Sequence, residues 1–255
     1  MYQKIQTYLR ELEQERNIKV LLACETGSRA WGFPSPDSDY DVRLLYVHPV
    51  QWYLRLSEPK DSIDLMFEAG EIDISGWDLR KALRLLKKSN CALLERLQSH
   101  IVYQADAAFV QAIPRLAPQY YSRIASVHHY LSLGTNAMAD LDRDQYRLKK
   151  FFYALRAATV CRWIISRSDM PPIHFPTMLD GLSLPETLTQ RIYQLIELKA
   201  EVPESYLHAG EADLLAFIEG SLEHARAQAH RLPAAKGTYQ PLDALFLRTL
   251  EVPLT

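Results

Sequence analysis

The sequence predicts an α+β protein, a mixed β-sheet with flanking helices followed by a mostly α-helical second half. Three observations carry this. Short apolar stretches bounded by turn residues cluster in the first 75 or so residues; amphipathic helical periodicity frames them on both sides; and beyond about residue 105 strand signals vanish in favour of long Ala, Leu, Tyr and Arg-rich segments. A 255-residue chain that is 48% hydrophobic can bury a sizeable core, and the change in pattern predicts two domains, 1–105 and 106–255.

Taken in order, Ile5, Tyr8, Leu9 and Leu12 fall at helical spacing and predict a first helix ending near Asn17. The run IKVLLAC (18–24) reads as a strand, and YDVRLLYV (40–47) as a second, with Val42, Leu44 and Tyr46 on one face and Asp41, Arg43 and Leu45 on the other. DSIDLMFE and EIDIS are third and fourth strands around a turn at Gly70. WDLRKALRLLKK (77–88) is a helix with Asn90 as its stop, and a shorter helix follows around ALLERLQS. Further helices are expected over 107–113, 117–138, 143–168, 186–198 and 210–230, with loops at DMPPIHFP (169–176) and RLPAAKGTYQP (231–241).

A net charge of −2 gives no global drive toward nucleic acid or membrane, so a polyanion would need a local patch. Cys24, Cys91 and Cys161 are odd in number, widely spaced and set among apolar neighbours, which reads as reduced core cysteines. No stretch approaches the ~18 apolar residues of a membrane span, and the start lacks a basic segment followed by an apolar one, so the expected compartment is the cytoplasm.

The chemistry concentrates in GSRAWGFPSPDSDYD (27–41). Gly-Ser at the end of a strand lets backbone approach an anion and adds a hydroxyl donor. Asp39 and Asp41, separated by one residue on a strand, present both carboxylates to one face, where they repel unless a hard cation such as magnesium lies between them. Asp73, in EIDIS, supplies a third acid; three acids on adjacent strands suit two magnesium ions, one activating an attacking hydroxyl and one holding a triphosphate. Read singly, Gly-Ser, PSPDSD and Asp-x-Asp also suit an ordinary surface turn.

The motif resembles the signature of the DNA polymerase beta-like nucleotidyltransferase superfamily, and within it the bacterial and phage nucleotidyltransferases linked to RNA repair, whose signature looks like GSRAYG followed by SDxDxR. DISGWDLRKALRLLKKSNCALLERLQS and KKFFYALRAATVCRWI (149–164) resemble later segments of that family, so the likeness spans about residues 18–165. Trp31 stands where Tyr is usual and Cys91 where Pro is usual.

The resemblance implies a nucleotidyltransferase-type sheet as a catalytic domain and a helical substrate-binding domain. It places Gly27 and Ser28 at the triphosphate of an NTP, ATP among them, and Asp39, Asp41 and Asp73 as catalytic ligands of two Mg2+ ions, for which Mn2+ substitutes. Arg29 and Arg43 are phosphate candidates, Arg43 being equally suited to pair with Asp41 or Asp73. On the 149–164 helix, Lys149 and Lys150 would meet phosphate, Tyr153 a base or sugar, and Arg156 shares the face of Lys149 and Tyr153. The acceptor implied is a hydroxyl, with an RNA end favoured and a protein or small molecule as alternatives. A different class is a nucleotide-binding or toxin-neutralising interaction protein without turnover.

Arg80, Lys81, Arg84, Lys87 and Lys88 lie along one predicted helix and suit either a polyanion groove or a solvated face. His128 and His129 diverge on a helix, and His174 and His208 stand alone, so no histidine set suggests a metal or a catalytic triad.

Overall fold

The amphipathic opening segment forms α1 (Tyr2–Arg16), which buries Ile5, Leu9 and Leu12; Asn17 closes it in the left-handed conformation, its N–H donating to the Glu13 carbonyl. This computed structural model describes residues 1–142 and 144–251. The chain continues through β1 (Lys19–Glu25), the one-turn helix α2 (Gly27–Trp31), β2 (Tyr40–Val47), α3 (Val50–Tyr53), β3 (Ser62–Phe67), β4 (Ile72–Asp78), α4 (Leu79–Lys87), α5 (Cys91–Arg96), β5 (Val102–Ala105) and α6 (Ala107–Tyr120). The strands make one mixed sheet in the order β3-β4-β2-β1-β5, in which β2 and β4 run parallel and the other pairs antiparallel. Val42, Leu44, Tyr46, Ile72 and Ile74 pack with the apolar face of α1 in one core, which leaves Asp41, Arg43 and Asp73 on the opposite face.

Several boundaries depart from the sequence expectation. Trp77 belongs to β4, paired with Ser62, because the alternating burial that starts at Ile72 persists to Asp78; helical periodicity begins only at Leu79. Asp78 is the cap, its Oδ1 accepting the Arg80 N–H at 2.9 Å while Oδ2 accepts the Tyr53 hydroxyl at 2.5 Å. The expected break near Pro114 does not occur. Phe109, Ile113, Ala117 and Tyr120 form one buried stripe along α6, and packing of that stripe outweighs the hydrogen bonds lost at Pro114 and Pro118. The new start is at Ser122, whose Oγ accepts the Ala125 N–H.

A helical set follows: α7 (Arg123–Ala139), β6 (Tyr146–Arg147), α8 (Leu148–Ser166), α9 (Phe175–Asp180), α10 (Glu186–Glu201), β7 (Leu207–His208) and α11 (Ala212–Gln228). The helix expected from 143 starts at Leu148, and residue 143 lies outside the described residues; Tyr146 and Arg147 instead pair with His208 and Leu207 as a two-residue ribbon. Such a ribbon is too short to leave a period-two signal. α8 is buried on nearly every side and packs with α7 and α11. α9 occupies part of the expected 169–176 loop because Phe175, Met178 and Leu179 find apolar cover. The last helix, α12 (Gln240–Thr249), begins inside the expected 231–241 loop and buries Leu242 and Leu245.

The chain resolves into two compact units. The first comprises Met1–Ala30, Asp39–Tyr120 and Lys236–Thr255; the second comprises Trp31–Ser38 and Tyr121–Ala235. The division expected at 105/106 therefore differs from this grouping at three places, since α6 and α12 pack with the sheet-bearing unit and residues 31–38 with the helical one. The three cysteines are buried and unbridged. Among the described residues no helix is long and apolar enough to cross a membrane.

Asp78→Ala removes the α4 cap and leaves the Tyr53 hydroxyl without its acceptor, so we expect a loss of about 2 kcal/mol in urea unfolding, partly restored by Asp78→Asn. Equal stability of both variants with the parent would show that the cap contributes nothing.

Candidate active site

Parallel pairing of β2 with β4 sets Asp41 directly beside Asp73 and Arg43 beside Ser75. The two carboxylates face the same way from adjacent strands, and one cation joins them. Arg43 Nη2 lies 2.6 Å from Asp41 Oδ1 and 2.9 Å from Asp73 Oδ2, while Nη1 donates to the Asp73 carbonyl at 3.0 Å. Of the two readings open for Arg43, this structure shows the ion pair with both acids. All three side chains are partly exposed, so the pair is neither fully screened by water nor sealed from a ligand.

The end of β1 shapes the other side of Asp41. Gly27 has φ +63°, and a Cβ there would sit 2.1 Å from Asp41 Oδ2. Glycine is thus required twice, for the left-handed backbone and for the room the carboxylate takes. Ser28 follows in α2, half-buried. Arg29 Nε donates to the Asp39 carbonyl at 3.1 Å, with its guanidinium 3.9 Å over the Tyr40 ring. Asp39 itself is exposed.

Sequence reasoning missed Glu25. It is fully buried, its Oε1 accepts the Asp41 N–H at 2.7 Å and its Oε2 accepts the Tyr103 hydroxyl. Burial pushes its carboxyl up to about 7, against the opposing effect of those two hydrogen bonds. The signal that could have found it was an acid at the end of an otherwise apolar strand, next to the Gly-Ser motif. Arg96 was missed as well. Its guanidinium lies 3.5 Å over the Trp77 ring, and burial together with the Arg43 charge lowers its pKa to about 10.

Asp41 and Asp73 fit a divalent cation by chemistry, since they are hard oxygen donors already sharing a positive group. Among the described residues no three His, Cys, Asp or Glu side chains are gathered to hold an ion by themselves, and Asp39 is not drawn into the Asp41–Asp73 pair. Magnesium commonly takes one or two protein carboxylates and completes its shell with substrate phosphates and water, so a two-carboxylate set suits it.

In the helical unit, residues 31–38 are held from several directions. The Phe33 ring is 4.9 Å from Phe152 and 5.6 Å from Phe175, and Trp31 meets Tyr153 edge-on at 5.7 Å. Gly32 has φ +88°, and a Cβ there would press on the His174 ring. The buried Lys199 Nζ donates to Ser35 Oγ at 2.7 Å; burial lowers the pKa of this lysine, with Glu204 acting the other way. Glu204 accepts the Ser38 hydroxyl at 2.9 Å and the Lys149 ammonium at 2.5 Å, and its N–H donates to Asp37.

The four expected nucleotide contacts on α8 have different surroundings. Lys149 is paired with Glu204, Lys150 with Asp140 at 3.1 Å, Tyr153 is partly exposed beside Trp31, and Arg156 is buried with its guanidinium 4.2 Å over the Trp31 ring. A phosphate contact by Arg156 would need this stack to open.

The sequence pattern of the RNA repair pathway DNA polymerase beta family matches residues 1–248. The chain belongs to that family. It is 38% identical over 253 residues to the uncharacterized protein YcgL of Bacillus subtilis (strain 168), covering 98% of this chain and 97% of the relative. The solved structure of a nucleotidyltransferase-like protein from Exiguobacterium sibiricum 255-15 matches at 11% identity with a TM-score of 0.34, covering 98% of this chain and 82% of the other. The membership places the mixed sheet among the nucleotidyltransferase-like folds, a superfamily that generally uses divalent metals.

Glu25 yields a pH prediction. Because its folded pKa lies above the unfolded value of about 4.5, the folded state holds the proton more tightly, and wild-type stability falls as pH rises from about 4.5 to 7. Glu25→Gln lacks this loss. The stability difference between variant and parent should therefore grow by about 3 kcal/mol across that window and level off above it. Urea unfolding at a series of pH values checks this, and a difference independent of pH would contradict it.

Proposed function

We propose that this protein is a metal-dependent nucleotidyltransferase that moves a nucleoside monophosphate from an NTP to a hydroxyl acceptor, an RNA end being favoured, and releases pyrophosphate. The observation that supports it most is the register-matched Asp41–Asp73 pair sharing a single cation, in a chain of this family. The acceptor oxygen would bond to the α-phosphorus as the bond to the bridging oxygen breaks, its proton passing to solvent.

In this reading Asp41 and Asp73 would hold Mg2+, two ions once Asp39 is drawn in as the third ligand, and Mn2+ would be able to replace them. Bound metal would neutralise triphosphate charge and lower the pKa of the acceptor hydroxyl. Gly27 and Ser28 receive the triphosphate, Arg29 and Arg43 assist with phosphate, and Lys149, Lys150, Tyr153 and Arg156 serve the nucleotide. Arg43 is the counter-ion of the resting site and must yield Asp41 and Asp73 as the ligand arrives. Its planar donors suit a phosphate once released. Three buried, unbridged cysteines agree with a reducing compartment, the cytoplasm.

The test is incubation with each α-labelled NTP, magnesium or manganese, and a pool of total RNA and cell protein. We expect metal-dependent label on RNA, reduced at least roughly a thousandfold in Asp39→Ala/Asp41→Ala, the scale of losing a principal electrostatic stabiliser. Gly27→Ala should lose labelling as well, since its new methyl displaces the Asp41 carboxylate. Equal labelling by the double variant would sink the assignment of these aspartates, and NTP binding without transfer to any acceptor would favour the interaction-protein reading.

A further inference from the structure

Within the sheet-bearing unit, α4 and α12 lie side by side and enclose a cavity of about 330 Å3, lined by Arg80, Leu83 and Arg84 from α4 and by Tyr239, Asp243 and Phe246 from the α12 side. A space of this size takes a single nucleotide or a comparable flat molecule. Its chemistry is specific. Arg80, Arg84 and Lys87 fall at i, i+4 and i+7, so they form one stripe about 10 Å long on α4.

Aromatic rings flank both ends of that stripe, Trp52 being buried and Tyr239 open. Arg80 lies 5.3 Å over the Tyr53 ring and 5.8 Å over Trp52, Lys87 lies 5.4 Å over Tyr239, and Phe246 meets Tyr53 edge-on at 5.1 Å. Tyr239 is 51% exposed, so part of its ring is open to a ligand. Arg84 is also exposed, and no ion pair involves it among the described residues. Lys81, by contrast, is turned to Asp61 at 2.7 Å and stands outside the stripe.

We infer that the α4–α12 groove binds a single-stranded polynucleotide, one nucleotide of which seats in the cavity. Phosphates would follow Arg80, Arg84 and Lys87, a base would stack on Tyr239, and Asp243 would accept from a base amino group or a sugar hydroxyl. Cations interleaved with stacking platforms are what an unpaired strand requires, because its bases are free to leave one another and lie on protein rings. A duplex cannot offer a base to so small a space. On this inference the α4 stripe takes the polyanion-groove reading, with Lys81 left out of it. Its biological purpose, holding a polynucleotide acceptor, rests on the transferase reading; its chemistry does not.

The test therefore omits NTP and divalent metal. Fluorescence anisotropy of a short labelled oligouridylate is followed on the full chain, in RNA and DNA forms, with salt varied. We expect Arg84→Glu and Tyr239→Ala each to weaken binding roughly tenfold, Tyr239→Phe to bind like the parent, and the salt dependence to flatten in Arg84→Glu. Asp39→Ala/Asp41→Ala, which removes negative charge only at the transfer site, should not weaken binding, and this separates the groove from that site. Binding of either form with the expected loss in the two variants supports the groove, and the ratio of RNA to DNA affinity tells whether it prefers one sugar or takes both. Thermal unfolding confirms that the exposed substitutions leave the fold intact. No binding by the parent, unchanged affinity in both variants, or displacement of the strand by base-free polyphosphate at equal phosphate concentration would overturn the inference, whatever the labelling assay shows.

Discussion

Two carboxylates set side by side on neighbouring strands repel each other, and the sheet-bearing unit is arranged around the cation that answers that repulsion. Arg43 reaches both Asp41 and Asp73 because side chains alternate along β2, which returns residue 43 to the face of residue 41, and because parallel pairing with β4 brings residue 73 level with residue 41. The partial exposure of the three groups matters. In a sealed interior the desolvation cost of such a cluster rivals its attraction, whereas in an open one the guanidinium can be exchanged for another cation.

Around this centre the surrounding groups limit further charge. Glu25 lies against the backbone of Asp41 with its carboxyl shifted upward to about 7 by burial, so below that pH it adds little negative charge beside Asp41 and Asp73. Arg96 adds a buried positive group, its cost moderated by the Trp77 ring. The Asp41 carboxylate has space only because residue 27 has no side chain. A motif that reads as a short consensus is, physically, a set of mutually dependent volumes and charges.

The segment between the two halves of the motif obeys a separate constraint. Residues 31–38 are anchored by aromatic packing of Phe33 and by the Lys199–Ser35 and Glu204–Ser38 hydrogen bonds within the helical unit. Local turn chemistry in PSPDSD is real, with the Ser38 hydroxyl accepting the Ser35 N–H, but it does not by itself choose the course of this loop.

Much of this protein was legible in the sequence because much of it depends on local periodicity. The alternation of β2, the amphipathic stripe of α1, its end near Asn17 and the order of Gly-Ser, Asp-x-Asp and a strand acid each rest on residues close together in the chain, and those define the α+β class and the candidate acids. Other features needed residues far apart to meet. The strand pairing of Trp77, the continuation of α6 through two prolines, the two-residue β6–β7 ribbon and α12, which starts at the end of the expected 231–241 loop, were all decided by packing that no local pattern encodes. The same holds for the site. Asp41 and Asp73 could be named from spacing, but their shared Arg43, the buried Glu25 behind them and the Lys199 that holds Ser35 from 164 residues away exist only once the chain has folded, because charge compensation and burial depend on distance in space and not on position in the chain.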